Sequence, residues 1–195
     1  MIRRMETMLN TFMVYVENKP GVLTRVASLF RRRAFNIDSL TVGRTEKPEV
    51  SRMTITVDAD RDQARRIEAN LYKLVNVLLV ENITNRPAII RDLAMIRVGA
   101  TQQDRSHVLE LANVFRARVV DVAPESLTLE ITGGEEKIDG LLELLRPYGV
   151  LEMVRTGIVA MRRGSKSADA AAIAEGAATD GANTGAANGG VSYSV

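Results

Sequence analysis

The turn Asn18-Lys19-Pro20-Gly21 holds the residues best suited to bind a ligand, because a helix is predicted to begin directly after it at Val22. The first N–H groups of a helix lack partners within it, and with the positive end of its dipole they attract an anion such as a carboxylate. Gly21 has no Cβ to keep a ligand from the backbone, and Asn18 can add a side-chain amide. On spacing alone an ordinary turn is the better interpretation, since Pro-Gly is a common turn signal and Asn often caps helices.

The chain has few other reactive side chains, and this excludes most kinds of enzyme chemistry. The 195 residues include one His and no Cys, which excludes thiolate nucleophiles, disulfides, iron–sulfur clusters and metal sites built on Cys or several His. His107 is predicted to be a solvated helix residue. Asp58, Asp60 and Asp62 alternate, but the Gly and the distant Glu of a calcium loop are missing. Catalysis by carboxylate, Lys or Ser remains, or no catalysis.

Charge and hydropathy are those of a soluble globular protein. Hydrophobic residues make up 46% of the chain and charged residues 26%, with a formal net charge of +2. The run Arg31-Arg32-Arg33 is predicted to close a helix, where its cations face the negative end of the dipole. No apolar run reaches the ~18 residues of a membrane span, and the basic N-terminus is not followed by a signal-peptide core. We expect a cytoplasmic protein.

Hydrophobic periodicity predicts the same order of elements twice, β-α-β-β-α-β. In the first copy the predicted elements are a strand over Met8–Glu17, a helix from Val22, a strand over Phe35–Thr45, a strand around Met53–Asp58, a helix capped by Asp60 or Asp62 with an apolar stripe reaching Leu74, and a strand over Val77–Val80. In the second copy they are a strand over Leu93–Gly99, a helix around Val108–Phe115, strands over Arg118–Val122 and Leu127–Ile131, a helix opened by Gly133-Gly134, and a last strand over Val150–Met161.

This repeat predicts an α+β protein of two tandem ferredoxin-like domains. We place the first domain at residues 8–84, a linker at 85–92, the second domain at 93–163 and a disordered tail at 164–195. The tail is rich in Ala and Gly and has too few large apolar side chains to offset the entropy of ordering. Since each domain is small for a hydrophobic core, we also expect the chain to pair with another copy.

The same element order occurs in RNA-recognition modules, which stack bases on aromatic residues of their central strands. Here the strands around Met53–Asp58 and Leu127–Ile131 contain no aromatic residue. Copper-carrying domains of this fold need a C-x-x-C motif, and this chain has no Cys. By elimination, the fold binds a small molecule or another protein.

Three segments of the first domain resemble the small, regulatory subunit of acetolactate synthase (acetohydroxyacid synthase). They are Val16–Val26, Arg33–Val42 with the string F-N-I-D-S-L-T-V, and Ser51–Ile55 with the string S-R-M-T-I. The resemblance covers about residues 8–163, and the first domain is similar to an ACT domain. Ala34 departs from it, because relatives usually have Gly there; if that position needs a positive φ, Ala costs up to ~1 kcal/mol.

The resemblance implies a homodimer formed through the ACT domains, with valine or a related amino acid bound between the two copies. Asn18, Gly21 and the N–H groups of Val22 and Leu23 would hold the carboxylate of this effector. Asn36 and Ile37 would come from the partner subunit, with Asn36 meeting the ammonium group.

The resemblance also implies a subunit without catalysis, cofactor or metal of its own. It would stimulate a large subunit that carries thiamine diphosphate, magnesium and FAD, and valine would reverse that stimulation. Two alternatives stay open. One is a free-standing ACT-type amino-acid sensor for another enzyme or for transcription. The other is a nucleic-acid-binding tandem module, which the missing aromatics and the low net charge disfavour.

Overall fold

A computed structural model describes residues 7–164, which form two α+β units of the same design. The elements of the first unit are β1 (Met8–Glu17), α1 (Val22–Arg32), β2 (Ile37–Arg44), β3 (Val50–Ala59), α2 (Arg61–Leu71) and β4 (Val77–Asn82). The elements of the second are β5 (Ala88–Gly99), α3 (Arg105–Val114), β6 (Arg118–Ala123), β7 (Ser126–Gly133), α4 (Glu135–Leu145), β8 (Val150–Arg155) and β9 (Val159–Arg162). The predicted fold class, two ferredoxin-like domains in tandem, is confirmed.

Each unit has an antiparallel sheet with the same strand order. The first sheet runs β2-β3-β1-β4 and the second runs β6-β7-β5-β8, so that β2 is an edge strand among the described residues. Both helices of a unit cover one face of its sheet. We call the other face the open face.

The two-residue period of the strands decides which side chains enter the core. In β1, Phe12, Val14 and Val16 pack under α1 and α2, whereas Met13 and Tyr15 alternate with them and lie on the open face. The apolar stripe of α1 faces the same core, which explains why a helix with three cations at its end is stable here.

The first helix of each unit is followed, two residues after its end, by a non-Gly residue in the left-handed region of backbone conformation. Ala34 has φ 55° and Arg116 has φ 52°. Beside Ala34, the Phe35 N–H donates to the Phe30 carbonyl at 3.1 Å, and the Ala34 N–H donates to Arg31 at 3.2 Å. This double closure is a Schellman motif, whose αL position favours Gly. The position of Ala34 therefore does need a positive φ, which is the condition under which Ala is costly there.

The strand limits in the second unit differ from those expected. β5 begins at Ala88 instead of Leu93, so that it includes the last five residues of the stretch taken as a linker. The single strand expected over Val150–Met161 is two strands, broken around Gly157, which has φ +85°. The cause is long-range pairing with two different parts of β5. The strand β8 pairs with Ala94–Val98, whereas β9 pairs with Ala88–Arg91.

Smaller differences occur at other element ends. β2 begins at Ile37 and ends at Arg44, inside the predicted Phe35–Thr45, because Phe35 still belongs to the helix-closing motif. α2 ends at Leu71, so Leu74 lies beyond the helix but still packs against its core. Asp60 is the residue that caps α2, through a capping box with Gln63. The tail expected from residue 164 onward lies outside the described residues, apart from Gly164.

The substitution Ala34→Gly is expected to raise the free energy of unfolding by about 1 kcal/mol, because Gly adopts a positive φ without a Cβ clash. Urea denaturation measures the change. Ala27→Gly is the matched control. Ala27 lies exposed inside α1, the helix that ends just before Ala34, so the change to Gly there should lower the free energy of unfolding by about 0.5–1 kcal/mol. Equal destabilisation by both variants would contradict the strain assigned to Ala34.

Candidate functional site

The turn between β1 and α1 is tied to the β2–β3 loop by Asn18. Its N–H donates to the Glu49 carbonyl at 2.7 Å, and its side-chain Nδ2 donates to the Pro48 carbonyl at 2.9 Å. An Asn amide has two N–H donors, so one remains for a ligand. The turn is exposed, and its position relative to the sheet is fixed by these two bonds.

Gly21 opens α1 in a way that suits an anion. It is the N-cap residue, with φ +82°, and a Cβ added to it would meet nothing within 4 Å. No side chain caps the helix, and its first turn holds no acidic residue. The Val22 N–H is used within the turn, donating to Lys19 at 3.4 Å, and the next backbone bond is from Arg25 to Gly21. In the described chain the Leu23 and Thr24 N–H groups therefore stay available to an anion.

Charges around this turn favour a carboxylate further. One neighbouring acid, Glu17, is buried and already engaged by the Lys19 ammonium at 3.2 Å and by the amide of Asn76. Arg25 also donates to Asn76, which places a guanidinium in the first turn of α1. The side chain of Leu23 is 44% exposed and provides an apolar surface beside the helix start.

The structure does not bring Asn36 and Ile37 to this turn within one chain. Ile37 pairs with Val57, whereas Glu17, next to Asn18, pairs with Val50. Seven residues of an antiparallel strand span about 24 Å, so the two groups lie at opposite ends of the sheet. Asn36 is exposed before β2, and Ile37 is half-buried at the start of this edge strand.

A ribbon formed by β9 and the first half of β5 covers the open face of the first sheet. Its Ala160 packs against Met13 and Ile83, and Met13 is only 2% exposed as a result. Arg52 on β3 donates to the Ala160 carbonyl, and Arg162 on β9 pairs with the buried Glu81 at 2.7 Å. The two units are thus joined by buried apolar and charged contacts.

The residues that lead into the ribbon, Gly157 and Ile158, contact β2 directly. The Ile158 N–H donates to Ser39 Oγ at 3.1 Å, and Thr41 Oγ1 donates to the Ile158 carbonyl at 2.7 Å. A Cβ on Gly157 would lie 2.5 Å from Ser39 Oγ, so a larger residue there would displace the hydroxyl that accepts from Ile158. Sequence reasoning missed the contact; a Gly inside a predicted strand is the one signal that pointed to it.

Other candidates from the sequence do not form a reactive site. His107 lies exposed on α3, as expected, and Arg31, Arg32 and Arg33 are exposed at the end of α1. In residues 7–164 there is no group of three or more His, Asp or Glu side chains that could hold a metal ion. None of the helices described is long and apolar enough to cross a membrane.

This fold and its open helix start define an ACT-type protein made of two ferredoxin-like units. Comparisons with known proteins agree: residues 12–79 match the model of an AHAS small subunit-like ACT domain, and residues 91–164 match the model of the small subunit of acetolactate synthase. The chain belongs to the family of acetolactate synthase small subunits.

Individual relatives are similar over nearly their whole length. A probable acetolactate synthase small subunit of Archaeoglobus fulgidus is 50% identical over 159 residues, which are 82% of this chain and 99% of the relative. The acetolactate synthase small subunit of Mycolicibacterium smegmatis is 46% identical over 83% of this chain and 95% of its own. The crystal structure of the small subunit from Thermotoga maritima superposes with a TM-score of 0.76 at 38% identity, covering 82% of this chain and 99% of that one.

The variant Gly157→Ala is expected to destabilise the protein by about 1–3 kcal/mol more than Gly149→Ala. Both glycines have a φ near +85°, where a side chain is strained, but the Cβ at Gly149 meets nothing within 4 Å. Urea unfolding of the two variants measures the difference. If both lose equal stability, the close approach of Gly157 to β2 contributes nothing.

Proposed function

We propose that this protein is a non-catalytic regulatory subunit that stimulates the large subunit of acetolactate synthase and makes it sensitive to valine. The observation that carries the proposal is the Gly21-opened start of α1 in a chain of this family. It offers main-chain N–H groups, an amide and a nearby cation to a carboxylate. Such a site can bind an amino acid by its carboxylate.

The effector site is proposed to be shared by two copies. Because β2 is an edge strand, the β2 strand of a second copy can pair with it in the antiparallel direction, about a two-fold axis. Arg44, at the far end of β2, pairs with Ser51 and so lies at the same end of the sheet as the turn. Antiparallel pairing brings the Ile37 end of the partner towards Arg44. Asn36 and Ile37 of the partner would then lie near Asn18 and Gly21.

In this arrangement each part of valine has a chemically matched neighbour. The carboxylate takes the Leu23 N–H and the Asn18 amide, and the ammonium meets the carbonyl oxygen of the partner's Asn36 side chain. The branched side chain lies between Leu23 and the partner's Ile37. A ligand that bridges two chains stabilises one arrangement of the pair, and a coupling of about 1–3 kcal/mol is the usual size for such regulation.

The bonds from Ser39 and Thr41 to Ile158 support a route by which effector binding reaches the second unit. Both hydroxyls lie on β2, the strand that begins with Ile37. A shift of β2 on closing the shared site would therefore move the 156–160 segment. We propose that the catalytic partner senses this movement.

The remaining parts of the proposal follow from the family. Catalytic cofactors (thiamine diphosphate, magnesium and FAD) belong to the large subunit, and the complex is cytoplasmic. Residues 8–84 act as the ACT domain and residues 93–163 as the second domain. RNA binding on the first sheet is disfavoured, because the ribbon buries Met13 on the open face of β1, a face on which such modules stack bases.

Reconstitution of the large subunit with this chain tests the proposal. Acetolactate formation is expected to rise on adding the chain and to fall again as valine is titrated, with leucine and isoleucine titrated in parallel to establish effector choice. If the chain neither binds nor stimulates the large subunit, the free-standing sensor is the correct alternative. Salt-dependent binding to RNA or DNA would favour the nucleic-acid module instead.

Gly21→Asp is expected to abolish valine inhibition while leaving stimulation of the large subunit largely intact, because its carboxylate repels that of valine and fills its space. Gly21→Asn is the matched control, since Asn has the same size and tolerates a positive φ but carries no charge. We expect the Asn variant to retain partial inhibition. Undiminished inhibition in the Asp variant would remove this turn from the mechanism.

A further inference from the structure

A groove of about 390 Å³ separates the open face of β2 and β3 from the β5–β9 ribbon. Its base is open because of Gly43, which pairs with Arg52 in the β2–β3 register and so shares its face. A Cβ on Gly43 would meet nothing within 4 Å, and its φ lies outside the positive range, so a side chain there would project into free space. This volume lies within the ordinary range of small-ligand sites.

The polar lining of the groove is positive. Arg52 on the open face of β3 and Arg91 on β5 are its cationic side chains, while Arg44 lines it from β2 but pairs with Ser51, so that its side chain alternates to the other face of the sheet. No Asp or Glu of residues 7–164 lines the groove, and none of the described carboxylates lies within 4.0 Å of these three arginines. Cations gathered in a cleft with low-dielectric walls raise the local concentration of anions.

Arg52 is the central cation, and its surroundings leave its charge uncompensated. Its Nη2 donates to the Ala160 carbonyl and contacts Met13 Sδ at 2.7 Å, and its guanidinium carbon lies 5.4 Å from the centre of the Tyr15 ring. Its Nε is buried and has no hydrogen-bond acceptor among the described atoms. Arg52 is half-buried, and a partly desolvated cation without an opposite charge is unfavourable, so an anion in the groove would offset that cost.

The wall formed by the ribbon is apolar. Val159 is 53% exposed and Met161 is 60% exposed, and Ile89 joins them on the neighbouring strand. These side chains offer apolar surface a few residues from the guanidinium groups. A ligand that fills the groove therefore combines an anionic head with a short apolar tail.

We infer that this groove binds a small organic carboxylate that has an apolar tail and no ammonium group. The absence of an ammonium group follows from the charge: Arg52 and Arg91 without an acidic neighbour disfavour an amino acid, which distinguishes this site from the turn at Gly21. The site belongs to one chain and joins its two units, so its ligand would bridge β2 and β9. The inference does not depend on the proposed function.

Isothermal titration of the full chain with 3-methylbutanoate tests the inference. Saturable binding is expected for this carboxylate, weaker binding for acetate, which lacks the tail, and none for the neutral 3-methylbutanamide. Inorganic phosphate distinguishes a general anion site from a carboxylate site. Titration in the Gly21→Asp background must give the same affinity, because that change affects only the proposed effector turn.

Variants locate the site. Gly43→Val fills the base of the groove and is expected to weaken binding about tenfold, as is Arg91→Gln, which removes one charged partner. Thr128→Val, on the open face of the second sheet, is the control and should leave the affinity unchanged. The Nε–H resonance of Arg52 should shift in NMR titrations with the carboxylate and stay in place with the amide.

Three results would overturn the inference. The first is unchanged affinity in Gly43→Val and Arg91→Gln. The second is a change of oligomeric state in Gly43→Val by sedimentation, which would make the groove an interface between copies. The third is the absence of anion binding together with weaker large-subunit stimulation by Arg91→Gln, which would assign the arginines to a carboxylate of the catalytic partner.

Discussion

The double pairing of β5 is the interaction on which the rest of the structure depends. Its second half is a central strand of the second sheet, and its first half pairs with β9 to form the ribbon that lies on the first sheet. Because a paired strand is stiff, the two units cannot turn independently without breaking it. The burial of Met13, the ion pair between Arg162 and Glu81, and the contact of Ile158 with β2 all follow from this placement.

That constraint gives the two open faces different properties. In the first unit the face opposite the helices is covered by the same chain, and the remaining gap at its edge is the arginine-lined groove. In the second unit the equivalent face, with Met95, Arg97 and Val154, is not covered by any described residue of this chain. A regulatory protein needs surfaces for a catalytic partner, and the second unit offers more of its sheet for that purpose.

The sequence was sufficient for the fold where local pattern determines structure. Alternation located β1 to the residue, and the apolar stripes located all four helices. It failed at β5 and at the last strand, because Ala88–Arg91 form a strand only through β9, some seventy residues away. Ile89 and Ile90 are adjacent apolar residues, so no alternation marked them, and the break at Gly157 reflects a contact with Ser39 that no local pattern encodes.

The candidate site, like the fold, could be predicted from the sequence only in part. The open start of α1 after Gly21 is a local property that the turn signals and the family motif anticipated, and the departure at Ala34 raised the question of the positive φ found there. The placement of Asn36 and Asn18 at opposite ends of the sheet is a property of strand register, and it became visible only with the sheet assembled. It is also the strongest support for a site that needs two copies, because one chain cannot supply both halves.

Complementation between two defective copies tests that claim most directly. Gly21→Asp damages the half that holds the carboxylate, and Asn36→Lys places a cation where the ammonium of valine would lie. Each variant alone should fail to bind valine by calorimetry. A mixed dimer can be purified through a different tag on each variant. If two copies share each site, this dimer has one intact site. It should then recover valine binding with near wild-type affinity at half the number of sites. Mixed dimers that stay unable to bind valine would contradict a shared site.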